Sequence, residues 1–274
     1  MSSGTHPETP LTWDEPPGLA ARGTVVVLPG RGERPGLYER FGRRLAADAY
    51  RVRVVGDAST DVDAVGVAVK ALVEEADRPG PVVLVGSDTG ALLALHLVAL
   101  GSATVDGLVL AGLPDPARDT AVSADAEPEL RASCPTHQKL LRDTDRGLFQ
   151  AGALTGERIP EVLREPVEPA AVTVPVLGLH GANDQVSPLD AVTARYAGLA
   201  TAELLSVEDG RHDVLNAAHH RSVAASVVLW LERLRLGPAS GPASGTELPA
   251  VVARVAVVAR VGAARGAAPD AGPA

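Results

Sequence analysis

The chain has one cysteine, Cys134, so it can form no internal disulfide, and no cysteine cluster can hold zinc. Lysine is almost absent: Lys70 and Lys139 are the only two. Aromatic residues make up 3% of the sequence, so its core must be built mainly from Val, Leu and Ala. No uninterrupted apolar run approaches the ~20 residues of a membrane span. The N-terminus, Met1-Ser2-Ser3-Gly4-Thr5-His6, lacks the charged and apolar regions of a secretory signal. No block of basic residues interleaves with aromatics, and the formal net charge is −9, which argues against nucleic acid as a partner. These absences lead us to expect a soluble cytoplasmic protein. The abundance of Ala, Gly and Pro, with arginine far above lysine, fits a GC-rich bacterial genome.

What is present is a repeated alternation of strand and helix. Thr24–Leu28 is a β-branched run stopped by Pro29-Gly30, which predicts a buried strand and a tight loop. A helix is predicted from Leu37 to Ala47, a strand at Tyr50–Val55, and a helix from Asp61 to Ala76 with Asp61 as its N-cap. A strand at Pro81–Gly86, a nearly all-apolar helix at Thr89–Leu100 and a strand within Asp106–Gly112 follow. The pattern resumes with a strand at Val174–Leu179, a helix near 188–199, a strand at Ala202–Val207 and a long helix at Arg221–Leu234. Such alternation predicts an α/β fold, a mostly parallel doubly wound sheet with right-handed crossovers.

Between the two halves, residues 113–171 are polar and proline-containing, with short helical stretches at 137–148 and 159–164. They read as a small helical cap. The expected organisation is an N-terminal extension at 1–22, a core at 23–112 and 172–236, the cap at 113–171, and an unstructured Gly/Pro/Ala/Ser tail at 237–274. The valine-rich Leu248–Val261 within that tail either docks on the body or stays loose, and the loose reading is preferred.

The most informative motif is Gly86-Ser87-Asp88-Thr89-Gly90, set between a strand and a helix. A Gly-x-nucleophile-x-Gly elbow strains its central residue, and its small flanks let strand and helix approach closely. Only one register fits, with Asp88 at the apex and Ser87 one place early. A glycine-rich turn of this kind also occurs in any doubly wound sheet, so its neighbours matter.

Three further segments join it. Leu28-Pro29-Gly30-Arg31-Gly32-Glu33 follows the first core strand and resembles the His-Gly-x-Gly loop of esterases and lipases, with Pro29 in place of His. Leu179-His180-Gly181-Ala182-Asn183-Asp184 and Glu208-Asp209-Gly210-Arg211-His212-Asp213 each follow a late strand. Together with Leu37-Tyr38-Glu39-Arg40-Phe41, these segments resemble the monoacylglycerol lipase or lysophospholipase-like branch of the α/β-hydrolase superfamily, over roughly residues 20–236. The resemblance implies a nucleophile at Asp88, an acid at Asp184 and a base at His212, in that family's order. It also implies an oxyanion hole formed by the backbone N–H groups of Arg31 and Thr89.

The family's usual nucleophile is serine, and Asp88 departs from it. An aspartate attacking an acyl ester would form a mixed anhydride. A carboxylate can instead attack an sp³ carbon, with His212 then activating water against the resulting ester, as in haloalkane dehalogenases and epoxide hydrolases. Three readings stay open: a hydrolase of a small organic molecule, a non-hydrolytic enzyme using Asp88 as a base, and a relative that has lost turnover and binds a small molecule. Tyr38, His137 and Phe149 are candidate substrate contacts, and the cap residues Leu140, Leu141, Leu148 and Leu154 either line a pocket or pack the cap. His96 is expected to be a packed histidine, His180 a loop support, and His219 and His220 solvent-facing. No metal site, cofactor or dinucleotide fingerprint is visible.

Overall fold

Val25, Val26, Val27 and Leu28 are all fully buried. A strand with no exposed face must be covered on both sides, and this one is. The computed structural model describes residues 10–118, 120, 122–156, 159–237 and 258–260. In chain order its elements begin with β1 (Leu11–Trp13), β2 (Gly23–Leu28), α1 (Glu39–Ala47), β3 (Tyr50–Val54) and α2 (Val62–Val73). Then come β4 (Val82–Ser87), α3 (Thr89–Ala99) and β5 (Gly107–Ala111). The expected cap holds α4 (Glu127–Arg131), α5 (Pro135–Arg142), α6 (Ala153–Gly156) and α7 (Glu161–Arg164). The second half supplies β6 (Val176–Gly181), α8 (Leu189–Ala197), β7 (Ala202–Val207), α9 (His220–Leu236) and β8 (Val258–Arg260).

The eight strands form one sheet in the order β1-β3-β2-β4-β5-β6-β7-β8. The six central strands pair in parallel, and β1 and β8 add antiparallel edges. Alternate residues of each central strand feed opposite layers. Val26, Leu28, Leu84 and Leu110 pack with Val69, Leu92 and Leu95 of α2 and α3. Val25, Val27, Val83 and Val85 pack with Phe41, Leu45, Val223, Val227 and Trp230 of α1 and α9.

Local signals explain several boundaries. The Asp61 side chain accepts from the Ala64 N–H at 2.9 Å and caps α2, as its sequence position predicts. That helix stops at Val73, short of the expected Ala76. α5 starts earlier than expected because Pro135 opens it at a position where a missing N–H costs nothing, and it ends at Arg142 instead of 148. Ile159 and Leu163, from the expected cap, and Val172, just past its end, belong to the core layer on the α3 side.

Of the expected tail, only Gly237 and Val258–Arg260 fall within the described residues; the rest of that expectation lies outside them. Val258–Arg260 depart from a loose tail by pairing with β7, Leu205 opposite Arg260, where an edge strand would otherwise leave backbone groups unpaired. Residues 1–9 of the N-terminal extension also lie outside.

The chain leaves β2 for β3 on one side, then returns to place β4 on the other side of β2. Ligand sites in open α/β sheets lie at such a reversal, beyond the carboxyl ends of the strands. Leu28 pairs with Gly86, so the loop after β2 and the elbow after β4 leave the sheet side by side. Loops after β6 and β7 leave at the same end.

The elbow's glycines are fixed by contact. A Cβ on Gly90 would lie 2.2 Å from the Leu28 carbonyl oxygen and 2.5 Å from that of Pro29. Backbone cannot yield as a side-chain tip can, so Gly90→Ala should cost at least about 3 kcal/mol in urea unfolding. Gly18→Ala, at φ +84° with nothing within 4 Å, should cost about 1 kcal/mol. Equal costs would contradict the close strand-to-helix approach.

Candidate functional site

Asp88 sits between β4 and α3 at φ 48°, ψ −119°. A non-glycine residue at positive φ is strained by about 1–3 kcal/mol and persists only where its surroundings impose it. Its amide donates to the Ala111 carbonyl at 3.1 Å, tying the apex to the neighbouring strand β5. The residue is fully buried.

The structure brings the three expected partners together. His212 Nε2 lies 3.2 Å from Asp88 Oδ1, and its Nδ1 lies 2.9 Å from Asp184 Oδ2. The other oxygen of Asp184 accepts the Val186 and Ser187 amides at 2.9 Å each. His180 adds a contact to Asp184 Oδ2 at 3.2 Å and another, at 2.6 Å, to the Ser187 carbonyl, the loop-supporting place its sequence context suggests. A chain of contacts thus runs from the apex carboxylate through one imidazole to a second, held carboxylate.

The Arg31 amide, one of the two expected oxyanion donors, bonds Asp88 Oδ2 at 3.0 Å. Sequence reading assigned Arg31 only its backbone. Its side chain matters as much: Nε donates to Oδ2 at 2.8 Å and Nη2 to Oδ1 at 3.0 Å, a two-pronged clamp on the apex carboxylate. Arg31 is itself 5% exposed, so this ion pair is buried. The strand register places it there, since Leu28 opposite Gly86 sets both loops on adjacent strand ends. Thr89, the second expected donor, lies at the start of α3, fully buried, with its hydroxyl unpaired.

A second buried layer backs the first. Arg131 of α4 is fully buried and donates from Nη2 to the Arg31 carbonyl at 2.7 Å, from Nε to Glu127 at 2.9 Å and from Nη1 to Asp213 at 3.3 Å. Its guanidinium lies 4.9 Å from the Phe149 ring centre. Tyr38 donates to Glu33, and His137 Nε2 contacts Asp213 at 3.2 Å. The three expected substrate contacts, Tyr38, His137 and Phe149, therefore serve this layer: two are tied to carboxylates and one carries a cation on its face. Leu141 and Leu154 are buried packing residues. His96, as expected, is packed, bonded to the Leu92 and Glu165 carbonyls.

Glu33, His137 and Asp213 offer ligand atoms within 4.8 Å of one another. The chemistry does not fit a metal ion. Arg131 Nη1 already stands 3.5 Å from Glu33 and 3.3 Å from Asp213, so a divalent cation would share the spot with a fixed guanidinium.

Charge follows from these contacts. Burial alone would raise the Asp88 pKa, but the Arg31 guanidinium and His212 outweigh it and hold the carboxyl well below the usual range. Burial would lower His212, yet Asp184 and Asp88 push it up to about 10. Burial and the neighbouring Asp213 push Glu33 up to about 8, against Arg131. Asp213 is held at about 2, burial being overcome by Arg131.

No protein-family profile matches the chain. Solved structures do resemble it. A monoacylglycerol lipase from Paleococcus ferrophilus superposes at TM-score 0.66 with 17% identity, over 81% of this chain and 97% of that one. A monoglyceride lipase from Saccharomyces cerevisiae, bound to a substrate analogue, gives 0.67 and 16%, over 82% and 91%. An esterase from Exiguobacterium antarcticum gives 0.62 and 20%, over 78% and 94%. At these identities the likeness defines the fold, which is that of the α/β-hydrolases. Among the described residues, no helix is long and apolar enough to cross a membrane.

The buried relay has a pH signature. Unfolded His212 loses its proton near 6.5, while the native ring keeps it to about 10. The native state then binds more protons across that window, so His212's contribution to stability falls as pH rises from 6.5 to about 10. Glu33 acts in the same direction between 4.5 and about 8. Ring ¹⁵N chemical shifts should find His212 titrating far above 6.5, and Asp88→Asn should lower its pKa. A ring titrating near 6.5 in the native protein would contradict the geometry.

Proposed function

We propose that the chain is a hydrolase of a small organic molecule that works through Asp88, His212 and Asp184. The observation that carries this is the unbroken line of contacts, Asp88 to His212 at 3.2 Å and His212 to Asp184 at 2.9 Å, at the carboxyl ends of the strands.

The two oxygens of Asp88 stand in different places. Oδ2 faces the Arg31 amide, and Oδ1 faces His212. Oδ1 attacks an sp³ carbon and the leaving group departs with the bonding electrons, giving an ester on Asp88. The Arg31 guanidinium must give up Oδ1 for this, while its amide stays on Oδ2. Esterification removes the Asp88 charge that helps hold the proton on His212, so the ring's pKa falls and the proton is released. Neutral His212 then takes a proton from water as its oxygen attacks Cγ of Asp88. Negative charge gathers on Oδ2, opposite the Arg31 amide. Collapse expels the alcohol oxygen, which recovers the proton from His212.

The similar lipases and esterase are named for ester substrates, and an alkyl carbon is the electrophile an aspartate can use. A halide, an epoxide and the alkyl carbon of an ester all fit. Trp13 packs on Gly42 and Trp230 lies in the core, so neither supports a halide here. Tyr38, bonded to Glu33, is not placed to protonate an epoxide oxygen. A general-base role suits Asp88 poorly, because a carboxyl held far below its usual pKa is a weak proton acceptor. A cytoplasmic small-molecule substrate goes with the hydrolase reading.

One observation favours a second reading, a small-molecule binder without turnover. The Arg31 clamp engages both oxygens of a carboxylate that solvent does not reach.

Turnover of a halide, epoxide and ester panel in ¹⁸O-water separates the two. Label should appear in the Asp88 peptide over repeated turnovers. His212→Gln should slow ester hydrolysis on the order of 10²–10⁴-fold and accumulate an alkylated protein visible by intact mass. Turnover without label in Asp88 contradicts the covalent route. Ligand-induced stabilisation with no turnover points to the binder.

A further inference from the structure

A cavity of about 590 Å³ lies where the cap meets the core, lined by Arg118, Ala126, Glu129, Leu130, Gln185 and Arg211 among others. Its volume is within the ~300–1,000 Å³ of small-molecule sites. Its place is defined by the chain: Gln185 follows Asp184, Arg211 precedes His212, and Leu130 precedes Arg131. The cavity therefore abuts the loops that carry the acid and the imidazole, as well as the helix whose arginine backs the apex.

Its charge is the reverse of the molecule's. The chain carries 34 acidic and 25 basic residues, whereas this wall holds two guanidinium groups and one carboxylate. The carboxylate, Glu129, is already paired with Arg142. Arg211 donates one N–H to the Glu129 main-chain carbonyl, and a guanidinium has five. The Arg118 side chain is exposed and has no partner among the described residues. Two arginines on one cavity in an anionic protein form a local positive field suited to a planar or tetrahedral oxyanion. Leu130 and Ala126 add apolar wall beside them.

We propose that this cavity is a binding site for small molecules bearing a carboxylate or phosphate, with Arg118 and Arg211 as the oxyanion's partners. As the subsite that selects an acidic substrate it rests on the hydrolase reading; as a binding site it does not. The occupant is an organic acid or phosphate ester with a compact apolar body.

Benzoate, phenyl phosphate and the neutral benzamide serve as probes of the full chain, by calorimetry and by arginine Nε–H NMR. Both anions should bind saturably, move the Arg118 and Arg211 resonances and lose affinity with added salt, while benzamide binds at least about tenfold more weakly. Arg118→Gln and Arg211→Gln should each weaken anion binding about tenfold or more. Arg118 is the cleaner test, since an exposed side chain is not needed for folding. Absence of saturable anion binding, or binding unchanged in both variants, would overturn the proposal. These readouts do not involve Asp88, so anion binding with no turnover of the halide, epoxide and ester panel would uphold this site while removing the hydrolase reading.

Discussion

A carboxylate beyond the reach of solvent has to be balanced by charge built into the fold, and at Asp88 that charge is the guanidinium of Arg31. Much of the surroundings follows from this demand. The loop after β2 must run beside the elbow to deliver Arg31, and its backbone is in turn held by Arg131 from the cap. Arg131 brings its own requirement for counter-ions, met by Glu127 and Asp213. Burial, with Asp213 close by, pushes Glu33 towards its protonated form despite Arg131. The cap is thus joined to the core by a charge network as well as by packing.

Sheet topology makes the arrangement possible. The reversal between β3 and β4 around β2 sets two loops together at one end of the sheet. Parallel strands β6 and β7 bring Asp184 and His212 to that same end. Neither residue is near Asp88 in sequence, yet each needs only to follow its strand by a few positions to meet it. The strain at Asp88 is held by the Gly86 and Gly90 contacts and by the bond to Ala111.

Much of this was legible in the sequence. Unbroken apolar runs bounded by Gly and Pro marked buried parallel strands, and Asp61 marked a helix start. The spacing of Gly86 and Gly90 put Asp88 at the apex, and the loops carrying Asp184 and His212 stood out by their places after strands. Less visible was anything that depends on side-chain direction. Arg31 read as a backbone donor because no local pattern tells whether a loop arginine turns outward or inward. His137 and Phe149 read as substrate contacts because their partners, Asp213 and Arg131, come from other segments, and Tyr38 because no local pattern shows that it turns back to Glu33. Arg131 carried no signal at all: a lone arginine in a short cap helix resembles a solvated one, and only the assembled fold buries it.

The buried pair of Arg31 and Asp88 organises the site, and a double-mutant cycle on unfolding free energy measures it directly. Arg31→Met alone should cost about 3–5 kcal/mol, because it leaves a buried carboxylate without its partner. Adding Asp88→Asn should restore a large part of that loss, giving strong coupling between the two sites. Costs that simply add, or an Arg31→Met variant as stable as the parent, would contradict a fold organised around this ion pair.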